Sequence, residues 1–203
     1  MNNLLRHKIV VRAWTTLKPW IIVATVFAVL RYTGALAGIS VLTGRALMHT
    51  GVMDANPESP AVMRRFNYNF NLKNLKGDVV EVEQFKGKTI FLNLWATWCG
   101  PCRMEMPSIQ KLYSQVDTSK VVFVMLSVDR PADLEKVKSF ILDKEYTFPV
   151  YTPGSTLPSQ LQVNVIPTTF VIGPDGKIES NESGAANYDT PEFKKFLEEL
   201  SSF

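Results

Sequence analysis

Residues 66–203 are predicted to form an α/β domain, a mixed central sheet covered by helices, opened by an added β-hairpin and preceded by an N-terminal transmembrane segment. Three observations predict it. From Thr89 onward, β-branched and aromatic runs alternate with runs at helical spacing. The last thirty or so residues read as a tight hairpin and a capped helix. Basic residues without acidic ones gather around the first apolar run.

Residues 1–45 carry six Lys or Arg and no acid, a net +6, whereas residues 46–203 carry sixteen basic and nineteen acidic side chains, a net −3. The basic excess thus belongs to an apolar segment and not to a folded surface, which excludes nucleic acid as a partner. Trp20 to Leu30 is the apolar centre, and extension through Leu42 gives bilayer-spanning length, with Arg31 interrupting. A central arginine costs about 3 kcal/mol, so the span alternatively begins nearer Ala13 and ends near Arg31. Ala35-Leu-Ala37 also satisfies a signal-peptidase pattern, so the segment is either a retained anchor, the reading adopted here, or a cleaved signal peptide. Both readings keep the N-terminus cytoplasmic and put the remaining chain on the periplasmic, extracytoplasmic side of the inner or plasma membrane.

Residues 46–65, with Asp54-Ala-Asn-Pro-Glu-Ser-Pro60, read as a linker. The alternations Phe66 to Leu72 and Val79 to Val82, separated by Gly77-Asp78, predict the hairpin. Thr89 to Trp95 predicts a central strand. Met104, Ile109, Leu112 and Val116 place a helix from about Cys99 to Gln115. Val121 to Val128 is a strand buried on both faces, Asp133 to Lys144 a helix, and Phe148 to Tyr151 a short strand. Thr168 to Ile172 and Lys177 to Glu179 flank the turn Gly173-Pro-Asp-Gly176, and Thr190 opens the terminal helix.

Cys99 and Cys102 are the only cysteines, in Trp-Cys-Gly-Pro-Cys at the end of the central strand. A pair so spaced closes a disulfide within one helical turn, which makes dithiol-disulfide chemistry the leading reading. Structural zinc needs about four ligands, and the only histidines, His7 and His49, fall in the first quarter of the chain. Haem attachment needs histidine after the second cysteine, where this chain has Arg103. A purely structural disulfide remains the alternative, although so short a loop constrains the unfolded chain little. No cofactor or metal is expected.

Trp95-Ala-Thr-Trp-Cys-Gly-Pro-Cys102, the strand before it and Val165-Ile-Pro-Thr-Thr169 together resemble the thioredoxin superfamily, over roughly Phe66 to Phe203. Asn93, Thr97, Glu105 in Cys-Arg-Met-Glu-Met-Pro107 and the leading hairpin are similar to the TlpA/ResA-type membrane-anchored thiol-disulfide reductases. The resemblance implies a thioredoxin-like three-layer sandwich. It also implies Cys99 as nucleophile at a helix N-terminus, where the dipole stabilises thiolate, and Cys102 as resolving thiol. Gly100-Pro101 between them implies a reductant near roughly −270 mV rather than an oxidant near −120 mV. Pro167 resembles the cis-proline that leaves the backbone of Ile166 free for an extended substrate; an ordinary trans-proline is the alternative. Trp98 is assigned to the active-site surface and Trp95 to packing, while Pro107 should kink its helix.

Where cytoplasmic thioredoxins carry a buried aspartate, this chain has Asn93, which cannot titrate, and Glu105 lies one turn beyond Cys102. A partly buried carboxylate there would relay the proton of the deeper cysteine; a surface ion-pair role is the alternative. The resemblance further implies protein disulfide substrates such as the Cys-x-x-Cys-His segment of apocytochrome c, in cytochrome c maturation, and a membrane electron-donor protein. Competing functions are a disulfide oxidase or isomerase, for which a histidine between the cysteines is expected, and a non-catalytic thiol-binding assembly factor. A thiol peroxidase would need Thr or Ser three residues before its cysteine, which Leu94 to Trp98 does not provide in a proline-led loop.

Overall fold

A computed structural model of the chain describes residues 18–26, 28, 50–56 and 65–202. Residues 18–26 and 28 are helical, with Thr25 Oγ1 donating to the carbonyls of Ile21 and Ile22. Among the described residues no helix is long and apolar enough to cross a membrane. Most of the expected span lies outside them.

The domain that follows is built on one seven-stranded sheet. In chain order its elements are β1 (Asn71–Asn74), β2 (Val79–Glu81), β3 (Thr89–Trp95), α1 (Gly100–Gln115), β4 (Val121–Ser127), α2 (Leu134–Asp143), β5 (Val150–Pro153), β6 (Thr168–Ile172), β7 (Ile178–Ser183) and α3 (Pro191–Leu200). The strand order is β2-β1-β5-β4-β3-β6-β7. β3, β4 and β5 run parallel, while the β2-β1, β1-β5, β3-β6 and β6-β7 pairs are antiparallel. The sheet is therefore mixed, and β3 lies inside it between β4 and β6. Every residue of β3 is buried, as a strand covered on both faces requires.

Alternation along β3 sorts its side chains between two cores. Phe91 and Trp95 face a cluster completed by Met106, Ile109 and Leu112 of α1, Val137 and Ile141 of α2, and Phe193 and Leu197 of α3. Phe91 stacks on Phe123 at 4.8 Å and meets the edges of Tyr188 and Phe193 at 5.2 and 6.1 Å. Ile90, Leu92 and Leu94 face the other way, toward Phe66, Tyr68, Phe70 and Leu161. α1, α2 and α3 thus lie on one face of the sheet. The third layer is an extended arm, residues 66–70, with 3-10 turns at Val82–Phe85 and Ser159–Leu161.

Several boundaries differ from expectation for local reasons. The leading strand begins at Asn71 and not Phe66, because the arm satisfies its own backbone: Asn69 N–H bonds Asn67 Oδ1, and Asn67 N–H bonds Gln160 Oε1. β5 starts after Pro149, which has no N–H to donate to a ladder. β7 runs to Ser183, longer than the alternation suggested, with a register irregularity opposite Val171 and Ile172. In the stretch expected to be linker, residues 53–55 lie against the domain: Asn187 N–H bonds Met53 O at 2.6 Å, Ala55 N–H bonds Asn187 O at 2.9 Å, and Ala55 is buried.

Removing the ring at the centre of the helix-side core leaves a cavity that the aromatic neighbours cannot close. Phe91→Ala should cost about 3–5 kcal/mol in denaturant unfolding; a loss below about 1 kcal/mol would mean that the ring is not central to the core.

Candidate active site

The cysteine pair occupies the turn from β3 into α1. Cys99 caps the helix in an extended conformation, its N–H bonding Ala96 O at 3.1 Å and its sulfur accepting the Cys102 N–H at 3.1 Å. Gly100 and Pro101 fill the first two helical positions, where backbone N–H groups have no intrahelical acceptor, so the proline loses nothing. No acidic side chain lies in that first turn to oppose a thiolate. The two sulfurs are bonded at 2.08 Å, with Cα atoms 5.3 Å apart. Cys102 is fully buried and Cys99 is 5% exposed, so the edge that a partner meets belongs to Cys99.

Two segments frame that edge. Trp98 stands beside it, 70% exposed, while Trp95 is buried in the core. From the far end of the sequence, Ile166-Pro167 crosses the disulfide with a cis peptide bond, and the Ile166 carbonyl oxygen lies 3.7 Å from Cys99 Sγ. The sheet explains this meeting. β6 runs antiparallel to β3 with Thr168 opposite Leu94, so β6 begins where β3 ends. Val165 is exposed and Ile166 half-buried, which leaves an apolar lip around the sulfur. Arg103 projects over the Phe140 ring at 5.5 Å on the other side.

Beneath the cysteines is a closed polar network. Glu105 of α1 is fully buried. Its Oε1 accepts from Asn93 Nδ2 at 2.7 Å and its Oε2 from the Ala186 N–H at 3.2 Å. Asn93 Nδ2 also donates to Thr169 Oγ1 at 2.9 Å, and Tyr188 OH bonds the same oxygen at 2.7 Å. Asn93 Oδ1 has no hydrogen-bond partner among the described residues, so the amide is spent entirely as a donor. Burial pushes the Glu105 carboxyl up to about 8, against the pull of its Asn93 and Ala186 donors and with a small addition from Glu182. Burial, and then the charge of Glu105, raises the Tyr188 phenol well above its ordinary range.

A second carboxylate holds the approach to the cysteines. Asp129, just past β4, accepts from the Thr97 N–H at 2.9 Å, from Thr97 Oγ1 at 2.6 Å and from Ser127 Oγ at 2.8 Å. Because β3 and β4 are parallel neighbours, both strands end at the same level, and Asp129 pins the turn that presents Trp98 and Cys99. The structure gathers Trp98, Cys99, Gly100, Pro101, Cys102, Ile166 and Pro167 at one edge and Glu105 below them. Asp129, Ala186 and Tyr188 were not singled out from the sequence, and Thr169 stood there only as the end of the Val165-Ile-Pro-Thr-Thr169 motif. Their contributions cross gaps of 19 to 81 residues, which no local pattern reports. Among the described residues no group of three His, Cys, Asp or Glu side chains is placed to hold a metal ion.

Comparison with known proteins agrees with this architecture. The sequence profile of the AhpC/TSA family matches residues 65–181, more than half of the chain. The chain belongs to the AhpC/TSA family. Among relatives, it is 38% identical over 111 residues to the thiol-disulfide oxidoreductase ResA of Bacillus thuringiensis subsp. konkukian, a match covering 54% of this chain and 63% of that protein. It is 31% identical over 115 residues to the thioredoxin-like protein YneN of Bacillus subtilis, covering 57% of this chain and 68% of that one. The chain therefore spans less than two thirds of the length of ResA. The crystal structure of StoA from Bacillus subtilis superposes with a TM-score of 0.52 at 26% identity, over 68% of this chain and 98% of that one. Within this AhpC/TSA domain the sheet is thioredoxin-like, and the cysteine pair falls inside the matched region.

The Glu105 carboxyl gives a signed expectation for stability. Its folded pKa lies above its unfolded value of about 4.5, so the native state binds the extra proton between about pH 4.5 and 8. Stability is complete below the unfolded value and is lost as pH rises through the folded one. Against Glu105→Gln, the wild-type protein should lose a few kcal/mol between about pH 5 and 9. Parallel stability curves for the two would contradict a buried, titrating carboxyl.

Proposed function

We propose that this chain is a thiol-disulfide oxidoreductase that reduces protein disulfides, carried by a membrane anchor with its catalytic domain outside the cytoplasm. The observation that carries the reading is the Cys99–Cys102 disulfide at the start of α1, its outer sulfur against the cis-Ile166–Pro167 carbonyl and its inner sulfur one turn from a buried carboxyl.

In the reducing direction, Cys99 thiolate attacks one sulfur of a substrate disulfide. A Cys99–substrate bond forms, and the second substrate sulfur leaves with the bonding pair and takes a proton. The Ile166 carbonyl beside Cys99 aligns an extended substrate backbone, while Trp98 and Val165 supply apolar contact. Cys102, still a thiol, passes its proton to Glu105, which acts through its ionised fraction, and attacks Cys99 Sγ. The intramolecular disulfide forms, the mixed disulfide breaks, and the first substrate sulfur departs as thiolate. Two electrons have moved from the protein dithiol to the substrate. With a pKa of about 8, Glu105 is mostly protonated at neutral pH in the oxidised protein. It is then ready to return a proton to Cys102 when an external dithiol reopens the pair.

Gly100-Pro101 supports the reducing direction, because no side chain between the cysteines adds strong thiolate stabilisation. The N-terminal charge asymmetry supports the extracytoplasmic placement. Reduction there requires a membrane protein that carries electrons outward. The Cys-x-x-Cys-His segment of apocytochrome c, oxidised to a disulfide, is a substrate of matching chemistry.

Cys102→Ser leaves Cys99 to attack but removes the resolving sulfur, so extracytoplasmic proteins should accumulate as mixed disulfides on Cys99 and be identified by mass. Recovery of none would contradict the reductase reading. In the purified protein, Glu105→Gln should slow closure of the mixed disulfide at neutral pH by about a hundredfold, and an unchanged rate would remove Glu105 from the mechanism.

A further inference from the structure

The loop after β7 does two things at once. On one side Ala186 donates its N–H to Glu105 Oε2, and Tyr188 donates its N–H to Ser108 Oγ at 3.1 Å, so the loop is fitted to α1. On the other side Asn187, the residue between them, is gripped by the segment that precedes the domain. Its N–H bonds Met53 O, its carbonyl accepts from the Ala55 N–H, and its Nδ2 donates to Asp54 Oδ1 at 2.7 Å. This is a one-residue parallel bridge between Asp54 and Asn187. Ala55 is buried in the same core cluster as Cys102, Met106, Ala186 and Tyr188. Beside the bridge a cavity of about 720 Å³ lies between residues 50–54 and α1, lined by Met104, Ser108 and Lys111 among others. The segment is therefore fastened to the loop through Asn187, and Ala55 seats it in the core.

We propose that Met53, Asp54 and Ala55 are positioning residues: they hold Asn187, and through it keep the Ala186 N–H on Glu105, so that docking of this short strand sets how readily Cys102 is activated. The inference rests on the reading of Glu105 as proton acceptor for Cys102. The chemistry is that of a donor supplied in trans along the chain. An N–H aimed at a buried carboxylate stabilises its ionised form, and an N–H that drifts away leaves that form without half of its hydrogen bonds. The other ionisable groups bearing on Glu105 are Glu182 of β7 and the Tyr188 phenol, with the Cys102 thiol of the reduced form one helical turn before it. None of them belongs to residues 53–55, the strap that holds Asn187, so its release acts through geometry.

The test uses the full-length protein, reduced and mixed with a nitroaryl disulfide, which releases one coloured thiolate when Cys99 attacks and a second when Cys102 closes the ring. Asp54→Ala removes the side-chain acceptor and Ala55→Pro the backbone donor; Asp54→Asn keeps an acceptor without the charge. The first phase should be unchanged in all three. In Asp54→Ala and Ala55→Pro the second phase should have its pH midpoint raised by about one unit, and be slower at pH 7 by about tenfold. Asp54→Asn should behave as wild type, and amide exchange at Ala186 and Asn187 should rise only in the first two. Faster exchange with an unmoved second phase would overturn the proposal, as would no change in either. Glu105→Gln in the same assay separates the two readings. If it flattens the second-phase profile while the strap variants leave that of wild type, the strap alone is wrong. If it leaves the profile intact, the proton-acceptor reading fails and the strap falls with it.

Discussion

A carboxyl group removed from water is the constraint around which the lower half of the site is arranged. Glu105 lies within α1, where helix geometry alone supplies no donor for its side chain, and the sheet and the loop after β7 each provide one. The donor from the sheet explains a polar residue in the middle of a fully buried strand. Asn93 interrupts the apolar run of β3 because Glu105 lies over it, and the antiparallel register with β6 sets Thr169 directly across to hold the amide in place. Two donors are enough to keep the group in place but not to offset its burial, so its proton is held to about pH 8.

The outer half of the site follows from where β3 sits. A strand inside a mixed sheet has one parallel and one antiparallel neighbour, and the end of β3 therefore meets the end of β4 and the beginning of β6. From the first comes Asp129, which fixes the turn through Thr97. From the second comes the cis-Ile166–Pro167 carbonyl against Cys99. The cysteine motif itself supplies the cap and the start of the helix. Three distant pieces of chain thus converge on one sulfur because of strand order, and the exposed Trp98 and Val165 are the apolar surface left over once they have done so.

Much of the sheet was legible in the sequence, because side-chain alternation and helical spacing are local signals. β3, α1, β4 and α3 follow them closely. What was not legible depends on backbone hydrogen bonds or on distance along the chain. Pro149 displaces β5, and the Asn67 turn keeps the aromatic arm out of the ladder, although its alternation reads as strand. The composition of residues 50–56 reads as linker, yet backbone bonds to Asn187 dock part of it, and backbone groups leave no trace in residue type. The sequence marked Asn93 and Glu105 separately. That one holds the other, with Thr169, Tyr188 and Ala186 around them, required the fold.

The protonation of Glu105 is open to a single titration. Selective carbon-13 labelling of glutamate side chains, with assignment by the loss of one carboxyl signal in Glu105→Gln, allows Glu105 to be followed by NMR in the oxidised protein. The expected midpoint is about 8, and on reduction the signal should also respond to titration of the cysteine pair. A midpoint at the ordinary value of about 4.5, indifferent to the redox state, would contradict that protonation.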